Sequence, residues 1–192
     1  VYMVEGLIKK SDHPLSGFHL HDIDRLIETL KTLTKANQKI WLIGVTYALL
    51  DLAEKLDFPL TNTIVLETGG MKGKRKEMVR EELHAILQQK FSLKNIHSEY
   101  GMTELLSQAY SIGEGIFKTP PWMKILIRDT NDPFSILDTG KAGGINVIDL
   151  ANVYSCSFIA TQDLGKLKND GSFEVLGRFD NSDIRGCNLL TV

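Results

Sequence analysis

The sequence is poor in cysteine, carries little net charge and has no long apolar run, and each shortage excludes a class of protein. Two cysteines, Cys156 and Cys187, supply neither a disulfide framework nor a metal-ligand pair at close spacing. The five histidines, His13, His19, His21, His84 and His97, show no metal-ligand spacing supported by nearby cysteines. No apolar stretch approaches the roughly 20 residues that cross a bilayer, so no membrane span is expected. A formal net charge of −2 gives no general attraction to nucleic acid or to an anionic membrane. Residues 1–10 lack the ordered charged, apolar and cleavage regions of a signal peptide. With 43 % hydrophobic and 24 % charged residues, the chain has enough apolar material for a packed core and is not of a disordered composition. These features together lead to the expectation of a reduced, cytoplasmic protein.

What is present is an alternation of two periodicities. Asp22 can cap a helix whose apolar stripe is Ile23, Leu26, Ile27, Leu30 and Leu33. Residues 40–45 form a nearly continuous apolar run, suited to a strand buried on both faces. A second helix is expected from Thr46, burying Leu49, Leu52, Ala53 and Leu56 and stopping before Pro59. Residues 63–66 read as the next strand. A third helix is expected over 76–90 with Val79, Leu83, Ile86 and Leu87 inward, then a strand at 95–97 and a helix at 103–110. This is the pattern of an α/β fold, a parallel or mixed sheet with flanking helices. After Pro120-Pro121 the texture turns β-rich, with strands expected at 122–128, 143–150 and 154–160. Asn169-Asp170-Gly171 marks a hairpin between residues 164–168 and 172–176. The expected division is an α/β subdomain over 1–119 and a β-rich subdomain over 120–192.

Three segments carry candidate chemistry. Residues 67–76 contain three glycines and four cations in ten residues (Glu67-Thr68-Gly69-Gly70-Met71-Lys72-Gly73-Lys74-Arg75-Lys76), without the spacing of a phosphate-binding P-loop. Such a segment suits the close approach of a flat or phosphorylated ligand; taken alone, it reads first as a solvated turn entering a helix. Tyr100-Gly101-Met102-Thr103-Glu104 sits at an expected strand-to-helix turn. Its hydroxyl can meet phosphate and its carboxylate can hold Mg²⁺, while a plain helix cap uses the same residues. Asp163 can accept from two vicinal ribose hydroxyls, and Arg178 in Gly177-Arg178-Phe179-Asp180 can reach ribose or phosphate. Each of these two is also an ordinary hairpin-edge charge when taken alone.

In order, the segments Thr68-Gly69-Gly70, Tyr100 to Glu104, Thr161-Gln162-Asp163, Asp170-Gly171 and Gly177 to Asp180 resemble the adenylate-forming superfamily of acyl-CoA synthetases, luciferases and peptide-synthetase adenylation domains. The resemblance covers about residues 40–186. It implies that Thr68, Gly69 and Gly70 border the adenine of ATP, with Tyr100 stacked near it in the Tyr100-Gly101-Met102 turn. It further implies Thr103 on phosphate, Glu104 on Mg²⁺, Asp163 on the ribose hydroxyls and Arg178 beside them. The reaction implied is attack of a carboxylate on the α-phosphate of ATP, giving acyl-AMP and pyrophosphate.

Residues 67–77 and the ending Arg185-Gly186-Cys187-Asn188-Leu189-Leu190 look most like the bacterial acyl-protein synthetases, the LuxE-like component of luminescence fatty acid reductase. In that branch a cysteine near the C-terminus accepts the acyl group as a thioester, and Cys187 matches its position. The partners implied are a fatty or other carboxylic acid and an acyl-accepting or reductase protein. The alternatives are an acyl- or aryl-CoA ligase of the phenylacetate type and a non-catalytic nucleotide-binding domain. Gln162 stands where the superfamily has glycine, and Ala160 stands where arginine is frequent. Neither the Ser/Thr/Gly-rich phosphate loop nor the late lid domain has a counterpart in the sequence. The chain is therefore expected to hold the C-terminal portion of such an enzyme and to be inactive alone. Cys156, in the apolar run 154–160, is expected in the core.

Overall fold

A computed structural model describes residues 2–20, 22–69, 75 and 78–179. Gly70, Asp180, Arg185, Gly186 and Cys187 among the candidate residues lie outside the described ones. Among the described residues, nine strands hydrogen-bond in the order β1 (Ile40–Gly44), β2 (Thr63–Glu67), β3 (His97–Tyr100), β4 (Ala109–Ser111), β5 (Ile116–Lys118), β9 (Phe173–Arg178), β8 (Phe158–Leu167), β7 (Ala142–Asp149) and β6 (Met123–Arg128), making a mixed sheet accompanied by four helices. The chain separates into two compact units, one of residues 1–65 and 71–94, the other of residues 66–70 and 95–192. The Pro120-Pro121 step lies inside the second unit.

The first unit holds α1 (Tyr2–Ser11), α2 (Ile23–Lys35), β1 (Ile40–Gly44), α3 (Thr46–Lys55), most of β2 (Thr63–Glu67) and α4 (Arg80–Phe91). Asp22 caps α2 as its side chain predicts, its Oδ1 accepting the Arg25 N–H at 2.9 Å. α3 buries Leu49, Leu50, Leu52 and Ala53, a stripe at helical spacing, and ends ahead of Pro59. α4 begins at Arg80, because the chain at Val79 is extended (ψ 152°), and Val79, expected to face inward, is exposed. Glu81 and Glu82 then occupy the first turn, where the helix dipole favours negative charge. Leu83, Leu87 and Phe91 bury the inward face of α4.

The second unit contains the end of β2, β3 (His97–Tyr100), β4 (Ala109–Ser111), β5 (Ile116–Lys118), β6 (Met123–Arg128), β7 (Ala142–Asp149), a single 3-10 turn (Leu150–Asn152), β8 (Phe158–Leu167) and β9 (Phe173–Arg178). β2 and β3 are parallel, with Leu66 opposite His97 and Glu67 opposite Ser98, and the remaining ladders of this unit are antiparallel. In β6 the alternation puts Met123, Ile125 and Ile127 into the core. They pack with Tyr100, Leu105, Phe117, Ile145, Val147 and Phe173. The Asn169-Asp170-Gly171 hairpin forms as its composition predicts, with Lys168 donating to the Ser172 carbonyl at 2.8 Å.

Two expectations are corrected here. No helix forms over 103–110: after a turn closed by the Leu105 N–H on the Met102 carbonyl (3.1 Å), the chain enters β4. A helix needs its N–H groups for carbonyls four residues back, and here other acceptors take them. The Leu106 N–H goes to Asn152 Oδ1 (3.0 Å) and the Ser107 N–H to Asp149 Oδ2 (2.9 Å). Cys156 is exposed rather than buried, because β8 starts at Phe158 and residues 152–155 form a turn closed by the Ser155 N–H on the Asn152 carbonyl (2.9 Å).

Candidate functional site

The parallel ends of β2 and β3 deliver two candidate segments to the same edge of the second unit: Thr68 and Gly69 after β2, and Gly101 to Glu104 after β3. Ligands of α/β sheets characteristically bind outside the carboxyl ends of strands. Gly69 has φ +76°, a conformation that side-chain-bearing residues rarely adopt, and its N–H donates to Glu67 Oε2 at 2.7 Å. The Glu67 carboxylate is 3 % exposed and shapes this turn from within. Gly101, Thr103 and Glu104 are exposed, and Met102 leans on the core. Glu104 thus presents one carboxylate to solvent. That suits Mg²⁺, which keeps several waters and binds through one or two carboxylates plus substrate phosphates. Among the described residues, no cluster of three or more His, Cys, Asp or Glu forms an all-protein metal cage.

Tyr100, Asp163 and Arg178 come together although 63 residues separate the first two. The Tyr100 ring belongs to the core, edge-on to Phe117 (6.0 Å between centroids) and Phe173 (5.4 Å). Its hydroxyl donates to Asp163 Oδ2 at 2.9 Å. Burial, reinforced by the Asp163 charge, pushes the phenol up from its ordinary value, so it remains a donor throughout the physiological range. Asp163 and Arg178 are cross-strand partners on β8 and β9, with Arg178 Nε 3.4 Å from Asp163 Oδ1. The Asp163 side chain is 16 % exposed and that of Arg178 is 73 % exposed, so the pair joins a fixed carboxylate to a loosely held cation. A carboxylate offers about four acceptor positions. Tyr100 and Arg178 leave room on Asp163 for two more donors, the requirement for gripping a vicinal diol.

The basic segment behaves differently. Of its cations within the described residues, Arg75 is bound to α3, through Nε to Asp51 Oδ1 (3.0 Å) and through a terminal nitrogen to Glu54 Oε1 (2.7 Å). Arg75 therefore ties the chain ahead of α4 to a helix, and its charge is already matched.

Three further side chains organise this unit and were not singled out in the sequence. Asp149, fully buried, accepts from the Ser107 N–H, the Ser107 hydroxyl (2.7 Å) and the Ala151 N–H (3.0 Å), and Trp122 Nε1 donates to the Ser107 hydroxyl at 2.9 Å. Asn152, also buried, holds the Leu106 N–H and donates to the Glu104 carbonyl at 2.6 Å. These two residues fix the chain on the far side of the Thr103-Glu104 turn. Arg128 bonds the carbonyls of Ile145 (2.9 Å) and Thr161 (2.6 Å). The sequence signals were slight: a carboxylate closing an apolar strand at Asp149, and an arginine ending one at Arg128.

Glu99 and His97 lie on β3 beside these elements. Burial, with the Glu67 charge second, raises the Glu99 carboxyl above its ordinary value. A carboxyl whose folded value exceeds its unfolded one opposes folding increasingly as pH rises through both values, and has no such effect below them. Glu99→Gln is accordingly expected to raise the melting temperature at pH 7 while leaving it unchanged near pH 3. Equal shifts at both pH values in a calorimetric series would show that the charge is not the cause. Burial lowers the His97 imidazole, so protonating it opposes folding as pH falls below its unfolded value.

No protein-family model matches the chain. No curated protein matches it by sequence. Solved structures do match by fold. ATP-bound MatB from Rhodopseudomonas palustris aligns with a TM-score of 0.58 at 18 % identity, covering 84 % of this chain and 34 % of that one. A mutant form of coronafacic acid ligase from Pectobacterium brasiliense gives a TM-score of 0.58 at 21 % identity, covering 84 % and 33 %. O-succinylbenzoate coenzyme A synthetase (MenE) from Bacillus subtilis, in complex with AMP, gives 0.51 at 22 %, covering 81 % and 34 %. The chain thus spans about a third of the length of these structures. Among the described residues no helix is long and apolar enough to cross a membrane. The likeness shows the fold alone: among the described residues, a mixed sheet of nine strands with flanking helices, shared with part of each of these structures.

Proposed function

We propose that the protein activates a carboxylic acid with ATP and that this chain carries the ribose side of the nucleotide site. The observation supporting this reading is the convergence of Tyr100, Asp163 and Arg178, residues of three separate motifs, on one partly exposed carboxylate. In this reading Asp163 accepts the two ribose hydroxyls and Tyr100 holds its second face in place. Arg178 covers the sugar or the α-phosphate from the solvent side. Thr68, Gly69 and Gly70 border the adenine, and Thr103 donates to phosphate. Glu104 binds Mg²⁺, which when bound neutralises charge on the phosphates. A substrate carboxylate oxygen attacks the α-phosphorus and the bond to the β-phosphate breaks, giving acyl-AMP and pyrophosphate.

For the second half-reaction we propose Cys187 as acceptor, as in a fatty acyl-protein synthetase. Its thiolate attacks the acyl carbonyl, the bond to the AMP phosphate breaks, and a thioester remains. Full-length protein given ATP, Mg²⁺ and labelled fatty acid is expected to retain label through a hydroxylamine-sensitive bond. Cys187→Ser is expected to abolish it, because the thioester needs the thiol. Label undiminished in that variant would exclude the cysteine. The fold likeness to a coenzyme A synthetase supports a second reading, an acyl- or aryl-CoA ligase. Release of acyl-CoA with no label on the protein would favour it.

A further inference from the structure

β8 does not pair evenly with β7. Gly144 stands opposite Leu164 and Asn146 opposite Ala160, so a single residue of β7, Ile145, faces Thr161, Gln162 and Asp163 of β8. Such an irregularity breaks the ladder and re-aims the side chains within it. Asp163 is one of the three β8 residues within it. Backbone carbonyls left without ladder partners at such a place need other donors, since an unpaired buried carbonyl is costly.

Arg128, at the end of the neighbouring strand β6, supplies them. One terminal nitrogen of its guanidinium donates to the Ile145 carbonyl (2.9 Å) and to Asn146 Oδ1 (2.6 Å), and the other donates to the Thr161 carbonyl (2.6 Å). The Thr161 hydroxyl donates to the same Ile145 carbonyl (2.9 Å) and accepts the Asp163 N–H (3.1 Å). The guanidinium also lies 5.4 Å from the centre of the Phe179 ring, and the Phe179 N–H donates to the Gln162 carbonyl at 2.7 Å. One planar cation thus braces both the Thr161-Gln162-Asp163 segment and the segment following Arg178. Its seat requires glycine on β7: a Cβ on Gly144 would stand 2.6 Å from Arg128 Cζ. Lysine, a point donor, cannot serve carbonyls on two strands and a ring face together.

From this geometry we infer that Arg128 is a positioning residue for the ribose-binding carboxylate, setting the protein's preference for a ribose over a deoxyribose nucleotide. The inference rests on the nucleotide reading above and adds to it the residue that aims Asp163. The test is the affinity of full-length protein for ATP and for 2′-deoxy-ATP, in the natural sequence and in Arg128→Met, Arg128→Lys, Gly144→Ala and Asp163→Asn. Arg128→Met is expected to lower the ATP preference by about tenfold, through weaker binding of ATP with little change for the deoxy nucleotide. Arg128→Lys recovers part of the preference. Gly144→Ala, which displaces the guanidinium without removing it, reproduces the loss and serves where Arg128→Met fails to fold. A purely structural arginine would weaken both nucleotides alike. If Arg128→Met and Gly144→Ala keep the full preference while Asp163→Asn loses it, the positioning role is overturned and the nucleotide site stands. If Asp163→Asn also keeps it, the nucleotide reading falls and this inference with it.

Discussion

Asp149→Ala is expected to destabilise the protein by about 3–5 kcal/mol, enough to shift a denaturant midpoint visibly, because it orphans several buried donors at once. The carboxylate is fully buried and accepts from two backbone N–H groups and one hydroxyl. Removing it leaves the buried Ser107 N–H without its acceptor and opens a void beside Ser107. Asp149→Asn separates the two effects. It keeps the volume and one acceptor but turns an NH₂ group toward donors, so its cost is expected to fall between zero and that of alanine. A loss under about 1 kcal/mol for alanine, measured by urea unfolding, would mean that water or a rearranged turn satisfies these groups. The consequence extends beyond stability, since Asp149 and Asn152 hold residues 104–107 and through them the Thr103-Glu104 turn.

Asp163→Asn is expected to weaken ATP binding by about 2–3 kcal/mol, on the order of 50-fold in Kd, with little effect on folding. Asparagine retains an oxygen for the Tyr100 hydroxyl, so the core contact survives. It loses the charge and one of the two acceptors proposed for the ribose hydroxyls, and hydrogen bonds to a charged group are the stronger kind. Titration calorimetry on the full-length protein reads the change directly. A shift below about threefold would remove Asp163 from the nucleotide site, since even a single neutral hydrogen bond is worth that much. Because Arg178 is mostly exposed and 3.4 Å away, its ion pair with Asp163 adds little to stability, and its loss does not confound the measurement.

Helices with strong stripes were legible in the sequence. The cap at Asp22 and the spacing Leu49, Leu52, Ala53 each rest on contacts within a few residues, and the structure reproduces both. The hairpin at Asn169-Asp170-Gly171 was legible for the same reason. The stretch after Tyr100 was not. Thr103 followed by Glu104 reads as a helix start, and the competing acceptors, Asp149 and Asn152, stand more than 40 residues further along the chain. Ala109 inward, Tyr110 outward and Ser111 inward form a period of two that could have flagged β4, but only over three residues. Cys156 was misplaced because an apolar run cannot tell a buried strand from an exposed turn that precedes one.

The candidate site divides in the same way. The motifs named Tyr100, Asp163 and Arg178, and their union is a property of the β3 end and the β8–β9 ladder. The resemblance implies Tyr100 stacked near the adenine; its ring packs against Phe117 and Phe173, and its hydroxyl faces Asp163. Arg128 was invisible as a site residue because its role depends on the register shift opposite Ile145, which no local pattern announces.

The central claim, carboxylate activation at a nucleotide site built on Asp163, is tested most directly by acid-dependent exchange of labelled pyrophosphate into ATP. The full-length protein is expected to exchange only when a carboxylic acid is supplied, and Asp163→Asn is expected to exchange far more slowly at the same ATP concentration. Binding of ATP without exchange across a panel of fatty and aryl acids, or exchange undiminished in the variant, would contradict the account.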